Sequence, residues 1–235
     1  MWNNKSVGLI LPTYNEKDSI KKSIQDFEQL GIFDDILVIN NNAAVGTSEE
    51  VAQTTAREVM ETQQGYGAAI QRGFQEISTD LIFVCEPDDT FIAGDVYKFL
   101  AYIDELDVVY GSRTVENFIW EGANMGMFLK WGNWAVAKLM QVCYNTNSLS
   151  DVGCTFRVIK RESLKKIVAD FKIKSNFFGP EMMLVAQVNG LKSIQIPVHY
   201  KDRVGESSVT GDFKKAFKLG MQMIFLILFF RFRKD

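Results

Sequence analysis

Leu81-Ile82-Phe83-Val84-Cys85-Glu86-Pro87-Asp88-Asp89-Thr90-Phe91 is the stretch on which the fold turns. Its first part is a short apolar run with two β-branched residues, which reads as a buried strand. Three carboxylates then arrive together, with a proline among them. A strand that ends in clustered carboxylates puts negative charge at the C-terminal edge of a sheet, where open α/β sheets bind ligands. Glu86 and Asp88 stand two apart, so both can point at one spot if the chain stays extended. Two hard oxygen ligands suit Mg²⁺ or Mn²⁺ bridging substrate phosphates. The alternative is an acidic turn capping the next helix, with Asp89 or Thr90 as N-cap.

Working outward, strands and helices alternate. Val7-Gly8-Leu9-Ile10-Leu11 is an apolar run stopped by Pro12, a first strand. Ile20, Ile24, Phe27 and Leu30 give residues 19–30 helical spacing, closed by Gly31. Asp35-Ile36-Leu37-Val38-Ile39 is a second strand running into Asn40-Asn41-Asn42. Residues 47–56 read as a helix with a capping box from Thr47 to Glu50. Glu58-Val59-Met60 is a short third strand, and Gln64-Gly65-Tyr66-Gly67 opens a helix through Ile77. Beyond the central stretch, Asp107-Val108-Val109-Tyr110 is a strand and residues 118–144 are one long apolar helix or a pair. Residues 151–157 lead into another strand. A helix opens at Phe178-Gly179-Pro180-Glu181, with Pro180 in its first turn, and runs to Gly190. Ile194-Gln195-Ile196-Pro197-Val198 is a strand that Pro197 places at an edge. This alternation predicts an α/β fold, a doubly wound, mostly parallel sheet flanked by helices. A C-terminal helix, apolar over residues 219–230 except for Gln222, closes the chain.

Composition narrows the function classes. The 235 residues, 47% hydrophobic, suffice for one domain with an appendage that buries its own core. A net charge of −3 excludes a duplex-binding protein, which needs a basic footprint. Cys85, Cys143 and Cys154 form no CxxC pair and His199 is the sole histidine, so neither a zinc site nor a disulfide framework is indicated. Free thiols and an N-terminus without a signal-peptide apolar region point to the cytoplasm.

Several segments in order resemble family 2 glycosyltransferases, most of all the dolichol-phosphate mannose synthase-like branch. They are Leu11-Pro12-Thr13-Tyr14-Asn15-Glu16, the strand into Asn40-Asn41-Asn42, Gly65-Tyr66-Gly67-Ala68-Ala69, Glu86-Pro87-Asp88, Gly111-Ser112-Arg113, residues 151–157, Glu181, and Arg203 with Gly205 and Ser207. The resemblance implies a GT-A fold over residues 1–211, with residues 212–235 as an apolar, basic helical appendage. It implies a nucleotide-diphosphate-sugar donor, Mg²⁺ or Mn²⁺, and inversion at the sugar carbon. It assigns nucleotide contacts to Pro12, Tyr14, Glu16, Asn40, Gln64, Gly67 and Pro87, and the metal to Asp88 and Glu86. Tyr14 can stack on a base and Glu16 can accept from ribose hydroxyls. Gly65 and Gly67 would let backbone approach the nucleotide at a helix N-terminus. The chain departs from the family at Asn40 (usually Asp), at Ser208 (often Lys, with Lys201 or Arg203 as substitutes) and at Glu86, one methylene longer than the usual Asp.

The acceptor divides the readings. A sugar hydroxyl needs a carboxylate to take its proton, and Asp151 and Glu181 are the candidates. A polyprenyl (lipid) phosphate is already ionised, and then Arg113 and Arg203 matter more, because guanidinium grips phosphate bidentately. His199 reads as structural. A nucleotidyltransferase lacks support, since no glycine-rich basic loop follows the first strand. A non-catalytic binding module is opposed by the retained Asp88, Arg113, Asp151 and Arg203. Residues 219–230 span about 18 Å as a helix, short of the roughly 30 Å of a bilayer core. With Lys214, Lys215 and Lys218 before them and Arg231, Arg233 and Lys234 after, they fit an anchor lying on the inner face of the membrane. Residues 118–144, with Trp120, Met125, Met127, Trp131 and Trp134, form a possible second apolar surface. The alternative is mutual packing of these segments or a homodimer contact.

Overall fold

The strands are β1 (Val7–Thr13), β2 (Asp35–Asn40), β3 (Arg57–Met60), β4 (Leu81–Val84), β5 (Val108–Ser112), β6 (Arg157–Lys160) and β7 (Ser193–Pro197). They form one sheet in the order β3-β2-β1-β4-β6-β5-β7, parallel except for β6, which runs antiparallel to both neighbours. The helices are α1 (Lys17–Glu28), α2 (Thr47–Val51), α3 (Tyr66–Glu76), α4 (Val96–Ile103), α5 (Met127–Tyr144), α6 (Arg161–Ile167), α7 (Phe178–Val188) and α8 (Phe213–Phe232). The computed structural model describes residues 1–123, 127–204 and 213–232. Gly205, Ser207 and Ser208 of the polar loop, Met125, and Arg233 and Lys234 of the basic tail lie outside the described residues.

Two apolar clusters sandwich the sheet. Ile10, Ile82, Val84, Phe178, Met182 and Ile227 belong to one; Leu9, Phe83, Phe99 and Phe156 belong to the other. β4 is buried on both faces, as its unbroken apolar run requires. β7 lies at the sheet edge, where Pro197 is tolerated.

Several expectations need correction. β1 does not stop at Pro12: it pairs with β2 through Thr13, but with β4 only as far as Ile10. Beyond Ile10 its β4 side is open, so the N–H that proline lacks is not needed there. α2 is five residues long and has no capping box. Gly46 takes the cap position with φ 92°, and Thr47 Oγ1 donates to Ala44 O instead. The helix ends at Val51, whose carbonyl accepts from Thr54 Oγ1; Thr54 Oγ1 also accepts from Ala56 N, and Thr55 is held by Glu28 of α1. The first helix is α1, two residues earlier than its apolar spacing indicates. Residues 118–144 contribute a single helix, α5, preceded by a 3₁₀ turn at Glu116–Phe118. α8 begins before its apolar run and takes in the lysine-rich turn.

Candidate active site

Topology brings the loops that carry the candidate residues to one edge. The parallel strands end there, and antiparallel β6 begins there, because Arg157 is in register with both Val84 and Tyr110. The loop before β6 therefore lies beside the carboxylate loop after β4 and the arginine loop after β5.

The carboxylates sit at the centre. Asp88 is buried, and its Oδ1 accepts from Thr90 Oγ1 at 2.6 Å and from Thr90 N at 3.1 Å. Its Oδ2 lies 3.3 Å from Arg203 Nη1. Glu86 is half-buried and has no side-chain hydrogen bond among the described residues. Burial and the neighbouring Asp88 push Glu86 up to about 8, and burial raises Asp88 as well. Asp89 takes a left-handed conformation at φ 62° and pairs with Lys22 and Lys201 at 2.9 Å each. Neither Asp89 nor Thr90 caps a helix, because α4 starts only at Val96. The returning segment is zipped onto this loop by Lys201 N to Thr90 O at 2.7 Å and Val204 N to Asp88 O at 3.2 Å.

On the β1–β2 side, the strand ends lie side by side, Thr13 in register with Asn40. Glu16 folds back on its own loop: Oε2 accepts from Tyr14 N at 2.7 Å and Asn15 N at 2.9 Å. Its Oε1 accepts from Arg203 Nη2 at 2.8 Å. Tyr14 is 47% exposed, free to meet a flat ligand. Pro12 and Pro87 are buried, and Pro87 O accepts from Ser19 Oγ at 2.7 Å. Asn40 is spent internally, donating to Glu58 at 2.8 Å and accepting from Ala43 N at 2.8 Å. Asn41, which the sequence reading passes over, organises the rim: its Oδ1 accepts from Gly65 N at 2.7 Å and Gln64 Nε2 at 3.2 Å. The close backbone that Gly65 and Gly67 admit is the chain's own. A Cβ on Gly65 would fall 2.2 Å from Lys174 O, and one on Gly67 2.5 Å from Ile173 O. Ala68 N, in the first turn of α3, donates to Lys174 O.

On the other side, Arg113 Nε and Nη2 bind the two oxygens of fully buried Asp151 at 2.9 and 3.0 Å. Arg113 N and Gly153 N donate to the same carboxylate. Burial opposes the ionised form, but the Arg113 charge and these N–H donors prevail and hold Asp151 below the ordinary aspartate range. The guanidinium also lies over the Tyr200 ring, 5.4 Å from its centroid. Glu181 faces elsewhere: its oxygens accept from Lys172 N and Ile173 N at 2.9 Å, pinning the loop before α7. Arg157 is buried against the carbonyls of Cys154 and Gly179 and serves as a staple for the loop before β6. His199 is tied to Asp95 through Nδ1 at 2.8 Å.

The sequence profile described as glycosyl transferase family 2 matches residues 9–168. The chain belongs to glycosyl transferase family 2. It is 27% identical over 211 residues to the glycosyltransferase AglJ of Haloferax volcanii, covering 88% of this chain and 67% of that one. It is 25% identical to the dolichyl-phosphate hexose transferase of the same organism, covering 86% of each chain. The glucosyl-3-phosphoglycerate synthase of Mycobacterium tuberculosis, solved with Mn²⁺, uridine diphosphate and glucosyl-3-phosphoglycerate, has a similar fold. The TM-score is 0.71 at 15% identity, over 97% of this chain and 80% of that one.

The protein is thus a GT-A glycosyltransferase that uses a nucleotide-sugar donor. In this glycosyltransferase the candidate residues lie on the loops at the C-terminal edge of the parallel strands. Among the described residues no three His, Cys, Asp or Glu side chains converge as a prebuilt metal cage. Asp88 and Glu86 still fit a divalent ion of the magnesium kind, which is held by one or two carboxylates together with substrate phosphates. Two neighbouring acids raised by burial are a donor set that a cation would stabilise.

Proposed function

We propose that this glycosyltransferase moves a sugar, with inversion, from a nucleoside-diphosphate donor to a polyprenyl phosphate. One observation carries the acceptor class: the two carboxylates that could serve as base are already engaged. Asp151 is saturated by Arg113 and Gly153, and Glu181 by Lys172 and Ile173. A sugar hydroxyl needs a base to take its proton; an ionised phosphate does not. The likeness to a dolichyl-phosphate hexose transferase supports the same reading.

In this reading a phosphate oxygen forms a bond to the anomeric carbon from the face opposite the leaving diphosphate, whose bond to that carbon breaks. No proton has to move. Asp88 and Glu86 would hold Mg²⁺ or Mn²⁺, whose charge would offset that of the leaving diphosphate. Tyr14 stacks the base, Glu16 holds the ribose, and Gln64, at the rim with Asn41, borders them. Arg203, on the segment zipped to the Asp88 loop, meets the diphosphate. Arg113, oriented by Asp151, presents its remaining N–H groups to the acceptor phosphate. The reaction runs at the cytoplasmic face of a membrane, where both substrates meet.

The test is a two-way screen. Protein with Mn²⁺ is given a panel of nucleotide sugars, and released nucleotide is measured with polyprenyl phosphate, 3-phosphoglycerate or a glycan as acceptor. Turnover confined to the prenyl phosphate is the expected result. Turnover only with a hydroxyl acceptor overturns the acceptor class, and donor binding without turnover in any arm overturns catalysis.

A further inference from the structure

We infer that the α5–α8 face is a docking surface for an anionic lipid bilayer. α8 buries Met223 and Ile227 in the core, and Tyr144 of α5 donates to Ile227 O at 2.8 Å. Its other side turns Met221, Phe225, Phe229 and Phe232 outward; Phe225 is 74% and Phe232 78% exposed. Their helical spacing makes them one stripe. A contiguous apolar stripe on a surface marks an interaction site. α5 packs alongside α8 and exposes Trp131 and Trp134, whose rings meet edge to face at 5.8 Å. Tryptophan favours the headgroup level of a membrane.

Charge decides the occupant. α5 and α8 carry Lys130, Lys138, Lys214, Lys215, Lys218 and Arg231 and no Asp or Glu. Their six positive charges leave −9 for the rest of a chain of net charge −3. Of the three whose side chains are described, Lys130 pairs with the exposed Glu116 at 3.4 Å, and Lys138 and Arg231 have no acidic partner among the described residues. An anionic surface would attract this face and repel the remainder, which fixes the orientation. A symmetric dimer through the same two helices would instead set like charges against like. The 20 residues of α8 reach about 30 Å along the surface. Among the described residues no helix is long and apolar enough to cross a membrane, so α8 lies in the interface plane.

The stripe also borders the acceptor grip. Asn133 lies between Trp131 and Trp134 in sequence. A Cβ on Gly153 would come within 3.2 Å of Asn133 Oδ1 and 2.8 Å of Arg113 Nη2. This link to the acceptor rests on the function proposed above; the docking itself does not.

The experiment is flotation of the full chain with phosphatidylcholine vesicles, with and without phosphatidylglycerol. Binding to the anionic vesicles only, with Trp131 and Trp134 quenched by brominated lipid, is expected. Phe225→Glu with Phe229→Glu, and separately Lys138→Glu with Arg231→Glu, should each lower partition by roughly tenfold or more. The second pair leaves the apolar stripe intact, and circular dichroism checks folding of both. Equal binding to neutral vesicles overturns the proposal, as does unchanged binding by both folded variants. Failure to float also overturns it, and a dimer by light scattering would then name a second copy as the occupant. Turnover on a short, soluble prenyl phosphate reads the acceptor separately, so docking without such turnover sinks the acceptor and leaves the surface.

Discussion

Arg203 Nη1 lies 3.3 Å from Asp88 Oδ2, so a guanidinium stands against the carboxylate proposed to hold the metal. Its other nitrogen reaches Glu16, and one side chain thereby bridges the loops after β1 and β4. The metal and the ribose would engage those same two acids. Arg203 must then give up Asp88 when a metal–nucleotide pair enters, and it is left facing the diphosphate. Removing it takes away a competitor and a phosphate contact together. Arg203→Ala should bind Mn²⁺ roughly tenfold tighter without nucleotide, a change of about 1.4 kcal/mol. Turnover should fall ~10²–10³-fold, as for loss of one charge-stabilising donor. Mn²⁺ titration with and without nucleotide checks both, and weaker metal binding by the variant would refute the competition.

The metal has its own test. Asp88→Asn keeps an oxygen for Thr90 N and Oγ1, so the loop should hold its shape and the thermal midpoint should stay within a few degrees. Its loss of charge removes the metal. Chelation should silence the wild type, Mn²⁺ or Mg²⁺ should restore it, and neither ion should restore the variant. Wild-type turnover that survives exhaustive chelation would dispose of the metal.

These sites were only partly legible in the sequence. β4 was legible because an unbroken apolar run that ends in carboxylates fits a buried strand and little else. Pro197 marked β7 as an edge for a similarly local reason. The reversal of β6 was not legible, since nothing in Arg157-Val158-Ile159-Lys160 states a direction. Yet that reversal puts Asp151 against Arg113. The partners of Asn40 and Glu181 were hidden for another reason: a polar side chain does not declare whether it will serve a ligand or its own loop. One miss was avoidable. Val96, Phe99, Leu100 and Ile103 carry helical spacing and are all buried in α4.

Asp151 offers a pH signature. Its carboxyl is held below the ordinary range in the fold, near 3.8 when unperturbed. Its pairing therefore stabilises the protein fully above that value and less as pH falls through the folded one. Asp151→Asn leaves the largely buried Arg113 guanidinium without its charge partner and should cost about 3–5 kcal/mol at neutral pH. The gap between wild type and variant, from urea unfolding, should stay flat from neutral pH down to about 5 and narrow below about 4. A gap that persists undiminished in acid would mean that the charge of Asp151 does not hold Arg113.

Two glycines separate grip from fold. A Cβ on Gly153 would meet only side-chain tips: Arg113 Nη2 at 2.8 Å, Asn133 Oδ1 at 3.2 Å and Asp151 Oδ1 at 3.6 Å. These can shift, so Gly153→Ala should fold normally while moving the guanidinium that awaits the acceptor. The expected result is a KM for prenyl phosphate raised roughly tenfold, with donor binding unchanged. A Cβ on Gly67 would meet the carbonyl of Ile173 at 2.5 Å and the Phe178 Cβ at 2.8 Å. Neither can yield without moving backbone, so Gly67→Ala should lower stability by about 1–3 kcal/mol. Thermal unfolding and acceptor kinetics on both variants check the pair. If Gly153→Ala shifts the KM of the donor and not of the acceptor, Arg113 belongs to the nucleotide site, and the acceptor phosphate must be sought elsewhere on the edge.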